Sequence, residues 1–204
     1  MRLIFIEGVS GVGKSTITQK ICDKLSERGF SVNRWLEFDF PNPIDFYCTA
    51  YLKQDDYSDL GLGFVELNMN LPEYQTDRLD VARLLEIADK YGIYYTIHLD
   101  ENLNPCDFNN KVAAAYTETV LQTIEAAKKL SVPVLNMHLH SGVWFTLPDK
   151  KVFLFDEYEQ EYIRKLTTFR DACAAAVGDA DIKICVENCG DFGDKPYLRK
   201  GLEV

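Results

Sequence analysis

From Phe64 onward, short apolar runs alternate with helical repeats, and this rhythm leaves few folds open to the chain. Runs over 64–69, 93–99, 133–139 and 182–187 read as buried strands. Between them the apolar period changes to that of a helix. Val81, Leu84, Leu85 and Ala88 mark one helix, closed near Gly92. Val112, Ala115, Tyr116, Thr119, Val120, Thr123, Ile124 and Ala127 mark a long second one. Tyr158, Tyr162, Leu166, Phe169, Cys173 and Val177 mark a third, closed by Gly178. The stretch 141–152 reads as an excursion without a helix of its own. Strands alternating with helices predict βαβ units and a mainly parallel sheet.

The N-terminal part adds a unit of the same kind. Leu3–Ile6 reads as a strand and 8–13 as a loop. Ile17, Ile21 and Leu25 mark a helix from Lys14 that Gly29 ends, and 31–37 reads as a further strand. About six strands are expected in all. Pro41 and Pro43 deny the next segment a helix start before Ile44. The change of character between Tyr57 and Gly61 sets two units, 1–57 and 61–204.

Composition narrows the function classes. The formal net charge of -10 repels polyanions, and Lys and Arg form no run, so nucleic acid is a disfavoured partner. The six cysteines form no C-x-x-C pair and read as reduced thiols, with Cys185 and Cys189 as core residues of one strand. No apolar stretch is long enough to span a bilayer, and the N-terminal apolar run is too short for a signal peptide. A cytoplasmic protein is expected.

Gly8-Val9-Ser10-Gly11-Val12-Gly13-Lys14-Ser15 matches G-x-x-x-x-G-K-[ST] in full, with a strand before it and a helix beginning at its lysine. Glycines at Gly8, Gly11 and Gly13 let successive backbone N–H groups point at phosphate oxygens, and the helix N-terminus adds positive charge. Lys14 is placed for the outer phosphates of ATP, Ser15 for a magnesium ion, and Thr16 completes the cradle. These residues resemble the P-loop kinases of small molecules over about the first quarter of the chain. That resemblance implies a phosphate acceptor met by an acid at the end of the second strand, where Glu37 and Asp39 stand. Runs ending at Asp156-Glu157 and Asp100-Glu101 superficially fit the magnesium-ordering strand such kinases carry. No Arg-rich lid is evident, and Arg164 and Arg170 read as surface charges of a helix.

A second constellation lies at three strand ends. His98 closes the first of them, His138 and His140 the second, and Glu187 the third. Residues two apart share a face of a strand, so Thr96 joins His98, Asn136 joins His138 and His140, and Cys185 joins Glu187. All three histidines of the chain fall in this set. In parallel α/β folds, sites form at C-terminal strand ends, and imidazole with carboxylate is a metal-ligand set.

Phe64-Val-Glu-Leu-Asn, Thr96-Ile-His98-Leu-Asp, Leu135-Asn-Met-His138 and Cys185-Val-Glu187-Asn-Cys-Gly resemble the xylose-isomerase-like TIM barrels, from about Leu62 to the C-terminus. That superfamily includes sugar-phosphate isomerases and epimerases and endonuclease IV. The resemblance implies a zinc, manganese or magnesium site with His98, His138 and Glu187 as ligands, His140 standing behind them. It also implies Glu187 as a proton-moving group and a sugar or sugar phosphate as substrate. The family barrel has eight strands, with further ligands in its second half. The end of the chain at Val204 therefore favours a truncated or engineered chain, and a half barrel leaves two open edges for a second copy.

The expected fold is α/β, with parallel βα units forming half of a TIM-like barrel beside an N-terminal P-loop βαβ unit. A six-stranded doubly wound sheet is the alternative. The function expected first is a metal-dependent sugar isomerase or epimerase carrying an ATP-binding P-loop. A nucleoside or small-molecule kinase (Lys14 and Asp39 catalytic), a non-catalytic module and an endonuclease IV-like repair protein follow it.

Overall fold

The four apolar runs of the second part form four parallel strands. They are β1 (Phe64–Asn68), β2 (Tyr94–His98), β3 (Val134–His138) and β6 (Lys183–Glu187), hydrogen-bonded in the order β1-β2-β3-β6. The computed structural model describes residues 14–32, 34, 63–187 and 195–204. The chain divides into two compact units, Met1–Gly63 and Phe64–Val204. In the first, Lys14 opens helix α1 (Lys14–Glu27), which Gly29 closes at φ +83°, a left-handed conformation that suits glycine. Ile17 is half exposed, so the more buried face of α1 runs through Ile21, Cys22 and Leu25. The expected strand over 3–6, the loop Gly8–Gly13, and Glu37 and Asp39 lie outside the described residues, and of the strand expected over 31–37 only Ser31, Val32 and Arg34 are described, none of them in a strand.

In the second unit each parallel strand but the last leads into a helix. These are α2 (Val81–Tyr91), α3 (Asn110–Leu130) and α5 (Glu159–Val177). Local chemistry sets their ends. The side chain of Asp80 accepts from the Arg83 N–H and that of Asn109 from the Lys111 N–H, so both cap a helix start. Gly92 ends α2 at φ +63°, whereas α3 ends on Ser131 at φ +54°, an unusual conformation for a non-glycine residue. The apolar periods locate the helices but not every buried position. Leu85, Val112 and Ala115 are exposed, while Ala113 is buried.

The strand order runs without reversal. A doubly wound sheet reverses its order at a switch point, and consecutive barrel strands do not. The described strands thus follow the barrel pattern. The pleat divides the sheet into an apolar and a polar face. Leu67, Tyr95, Ile97, Leu135 and Met137 are buried on one, together with Val120, Ile124 and Ala127 of α3. The Tyr95 hydroxyl donates to the Leu84 carbonyl at 2.9 Å, fixing α2 on this side. The other face carries Glu66, Asn68, Thr96, His98, Asn136, His138, Cys185 and Glu187. Cys185 is exposed, which corrects its expected place in the core; Cys189 lies outside the described residues.

The excursion at 141–152 contains a hairpin. β4 (Trp144–Thr146) pairs antiparallel with β5 (Lys151–Phe153) around Pro148 and Asp149, and the Leu147 N–H donates to the Lys150 carbonyl at 2.8 Å. The run before Asp156 is therefore an outlying hairpin strand and not a sheet strand. Asp156 and Glu157 sit exposed in the short helix α4 (Leu154–Glu157), which removes them as a magnesium-ordering pair. A final helix, α6 (Pro196–Gly201), buries Tyr197 and Leu198. Among the described residues no helix is long and apolar enough to cross a membrane.

Candidate metal centre

Parallel pairing brings three strand ends together. His138 and Glu187 are register partners across β3 and β6, and His98 pairs with Asn136 across β2 and β3. Because β2, β3 and β6 are neighbours, both histidines reach the one carboxylate. His138 Nε2 lies 3.1 Å from Glu187 Oε2, and His98 Nε2 lies 3.5 Å from Glu187 Oε1. The two imidazoles meet edge to face, with centroids 5.0 Å apart. One donor atom from each of the three residues falls within 4.8 Å of the others.

The second nitrogen of His98 fixes its role. Nδ1 lies 2.7 Å from the Leu99 carbonyl oxygen, which can only accept, so Nδ1 carries the hydrogen. The Nε2 lone pair is then free to face the other two donors. A backbone partner on the remote nitrogen is what orients a metal-ligating imidazole. The donor set also has the right spacing. An ion about 2.1 Å from each ligand at a tetrahedral centre sets donors about 3.4 Å apart, close to the two distances observed. Among the described residues His98 is buried, while His138 and Glu187 are half-buried. A tetrahedral ion on these three donors would have a fourth position left to fill.

His140 takes no part in this group. Its Nδ1 accepts from the Gly142 N–H at 2.9 Å. Burial holds its pKa below the ordinary value, against the opposing pull of Asp107, and the Lys195 ammonium adds to the lowering. Asp100 accepts from the Asn102 N–H at 2.7 Å in the turn after β2. Arg164 pairs with Glu161 and Arg170 with Asp171, as surface charges.

One layer below, the same face carries a polar network that the sequence reading passed over. Glu66 Oε2 accepts from the Asn136 amide at 2.8 Å and from the Thr96 hydroxyl at 3.4 Å, tying β1, β2 and β3. The available signal was phase. Glu66, Thr96 and Asn136 each stand an even number of residues from the strand-end ligands or their neighbours.

The family described as xylose isomerase-like TIM barrel matches residues 55–198, well over half of the chain. The chain belongs to that family. Among solved structures, a D-tagatose 3-epimerase-like protein superposes with a TM-score of 0.50 at 21% identity, over 61% of this chain and 43% of its own. A D-psicose 3-epimerase from Clostridium cellulolyticum H10, solved with D-tagatose, gives 0.49 at 13% identity, over 72% and 53%. At such identities the first of these likenesses is one of fold. The chain spans less than half the length of that first structure. No curated protein sequence matches it at a significant level. The xylose isomerase-like span begins after the Gly8–Thr16 motif, so the kinase resemblance gains nothing from the family match.

Proposed function

We propose that this xylose isomerase-like chain is a metal-dependent isomerase or epimerase of a small sugar or sugar phosphate. One observation carries the reading: His98, His138 and Glu187, from three neighbouring strands, present their donors within 4.8 Å of one another. Two imidazoles and a carboxylate suit zinc or manganese better than magnesium. When bound, such an ion acts as a Lewis acid on a sugar carbonyl and hydroxyl. His98 would hold the ion through Nε2 while its Nδ1–H bond to Leu99 keeps the ring in place. Glu187 offers two oxygens, so one can ligate while the other holds or moves a proton. Titration calorimetry with zinc, manganese and magnesium tests this, with His138→Ala as the control. Zinc binding lost in the variant supports the reading; binding that ignores the substitution removes it.

A second reading concerns Gly8, Gly11, Gly13, Lys14, Ser15 and Thr16. It rests on the complete motif and on α1 beginning at Lys14. Together these support phosphate binding, with Lys14 stabilising transferred charge and Asp39 orienting an acceptor if phosphoryl transfer follows. ATP binding that Lys14→Ala leaves unchanged would remove it.

A further inference from the structure

The two histidines of the candidate centre are held by different means. His98 has an anchor of its own, because its Nδ1–H donates to the Leu99 carbonyl at 2.7 Å. Among the described residues His138 has no such anchor. The hydrogen-bond partner of its ring is Glu187, a fellow ligand. An ion seated between the two would take the place of that contact. A metal-ligating imidazole is oriented from behind, and for His138 that support has to come through the main chain.

Beyond His138 the main chain is fastened to α6. His138–Glu187 is the final register pair of β3 and β6. Leu139 lies against Gly201 so closely that a Cβ on the glycine would fall 3.2 Å from Leu139 Cδ1 and 2.6 Å from the Tyr162 hydroxyl. The Ser141 carbonyl accepts from the Tyr197 hydroxyl at 2.8 Å. Gly142 lies against the Phe155 ring, and that ring meets Tyr197 edge to face at 6.0 Å. A helix of six residues is too short to persist by itself, so these contacts set its place. Tyr197 and Leu198 are 0% and 2% exposed, which roots α6 in the core. A shift of α6 is therefore passed to residues 139–142, directly after the ligand without an anchor.

We infer that Tyr197 is a positioning residue of the metal centre: through the Ser141 carbonyl it holds the main chain that aims His138 at Glu187. The inference rests on the metal reading above and deepens it by naming the support of its less anchored histidine.

Zinc titration of the full chain tests it, with Tyr197→Phe beside Tyr95→Phe. Both substitutions remove the same group, a tyrosine hydroxyl donating to a main-chain carbonyl, at 2.8 Å in the first case and 2.9 Å in the second. Tyr95 holds α2 on the apolar face of the sheet, so its variant shows what the loss of such a bond does without any tie to His138. Tyr197→Phe is expected to weaken zinc about tenfold, the low end for a support behind a metal ligand, and Tyr95→Phe to leave it within about threefold. Gly201→Ala, which pushes α6 away from Leu139, is expected to weaken zinc in the same direction. In the metal-free chain, the ring signals of His138 in a proton–nitrogen correlation spectrum should move in Tyr197→Phe while those of His98 stay. The inference is overturned if Tyr197→Phe binds zinc as the wild type does, or if Tyr95→Phe weakens it as much. A wild-type chain that takes up no zinc contradicts the metal reading instead, and the metal-free ring signals then decide: His138 signals that stay, or His98 signals that move as far, overturn the role of Tyr197.

Discussion

His138 Nε2 lies 3.1 Å from Glu187 Oε2, and the two residues are register partners on adjacent parallel strands although 49 positions separate them in sequence. The contact is made by backbone pairing, because the β3–β6 ladder leaves both side chains on one face. Fixed strands place donors more narrowly than loops can. The layer beneath belongs to the same design. Replacing Glu66 with alanine leaves the Asn136 amide without its carboxylate, which should cost about 1–3 kcal/mol of stability. Zinc affinity should stay within about threefold, since the ligands themselves are untouched. Chemical denaturation and metal titration on one preparation check both halves.

Thiol chemistry separates the described cysteines. Burial pushes the Cys106 thiol up to about 12 and Cys173 up to about 11, whereas Cys185 is exposed on its strand. Iodoacetamide at pH 8, followed by peptide mapping, should modify Cys185 well before Cys106 or Cys173. A raised folded-state pKa means that the folded chain holds the proton more tightly. The contribution of these thiols to stability is therefore intact below about 9, the ordinary value, and is lost as pH rises through 11 and 12. Melting temperatures measured across the alkaline range should fall accordingly. A melting temperature flat between pH 9 and 11, or early labelling of Cys106, would contradict the placement of these side chains.

Two residues sit against local rules, and both offer simple tests. Ser131 holds φ +54° at the end of α3, where a side chain is disfavoured. Ser131→Gly should stabilise by about 0.5–1 kcal/mol. The Tyr162 hydroxyl is buried without a hydrogen-bond partner among the described residues. Tyr162→Phe should therefore be neutral or slightly stabilising, within about 1 kcal/mol. A loss of several kcal/mol in either variant, read by urea denaturation, would show that the site is arranged differently.

Much of the second unit was legible because its signals are local. The apolar runs ending at His98, His138 and Glu187 have strand length, and Gly92 and Gly178 mark helix ends through backbone chemistry alone. The three ligand candidates could be read together because each closes its own strand. What escaped depends on distant partners. Glu66 meets Asn136 across 70 residues, and strand phase gives only the shared face, not the pairing. The Trp144–Phe153 hairpin was hidden by its short strands, with Pro148 and Asp149 reading as loop. The run before Asp156 misled for the opposite reason: an apolar stretch followed by an acid says nothing about which strand pairs with it.

The metal centre is tested most directly by zinc titration of the full chain, beside its His138→Ala, His98→Ala and Glu187→Ala variants. The arrangement predicts one zinc per chain, with manganese weaker and magnesium weaker still. Each substitution should lower zinc affinity at least tenfold, because each removes one of three donors set within 4.8 Å. A chain that takes up no zinc, or variants that bind it as the wild type does, would contradict the centre.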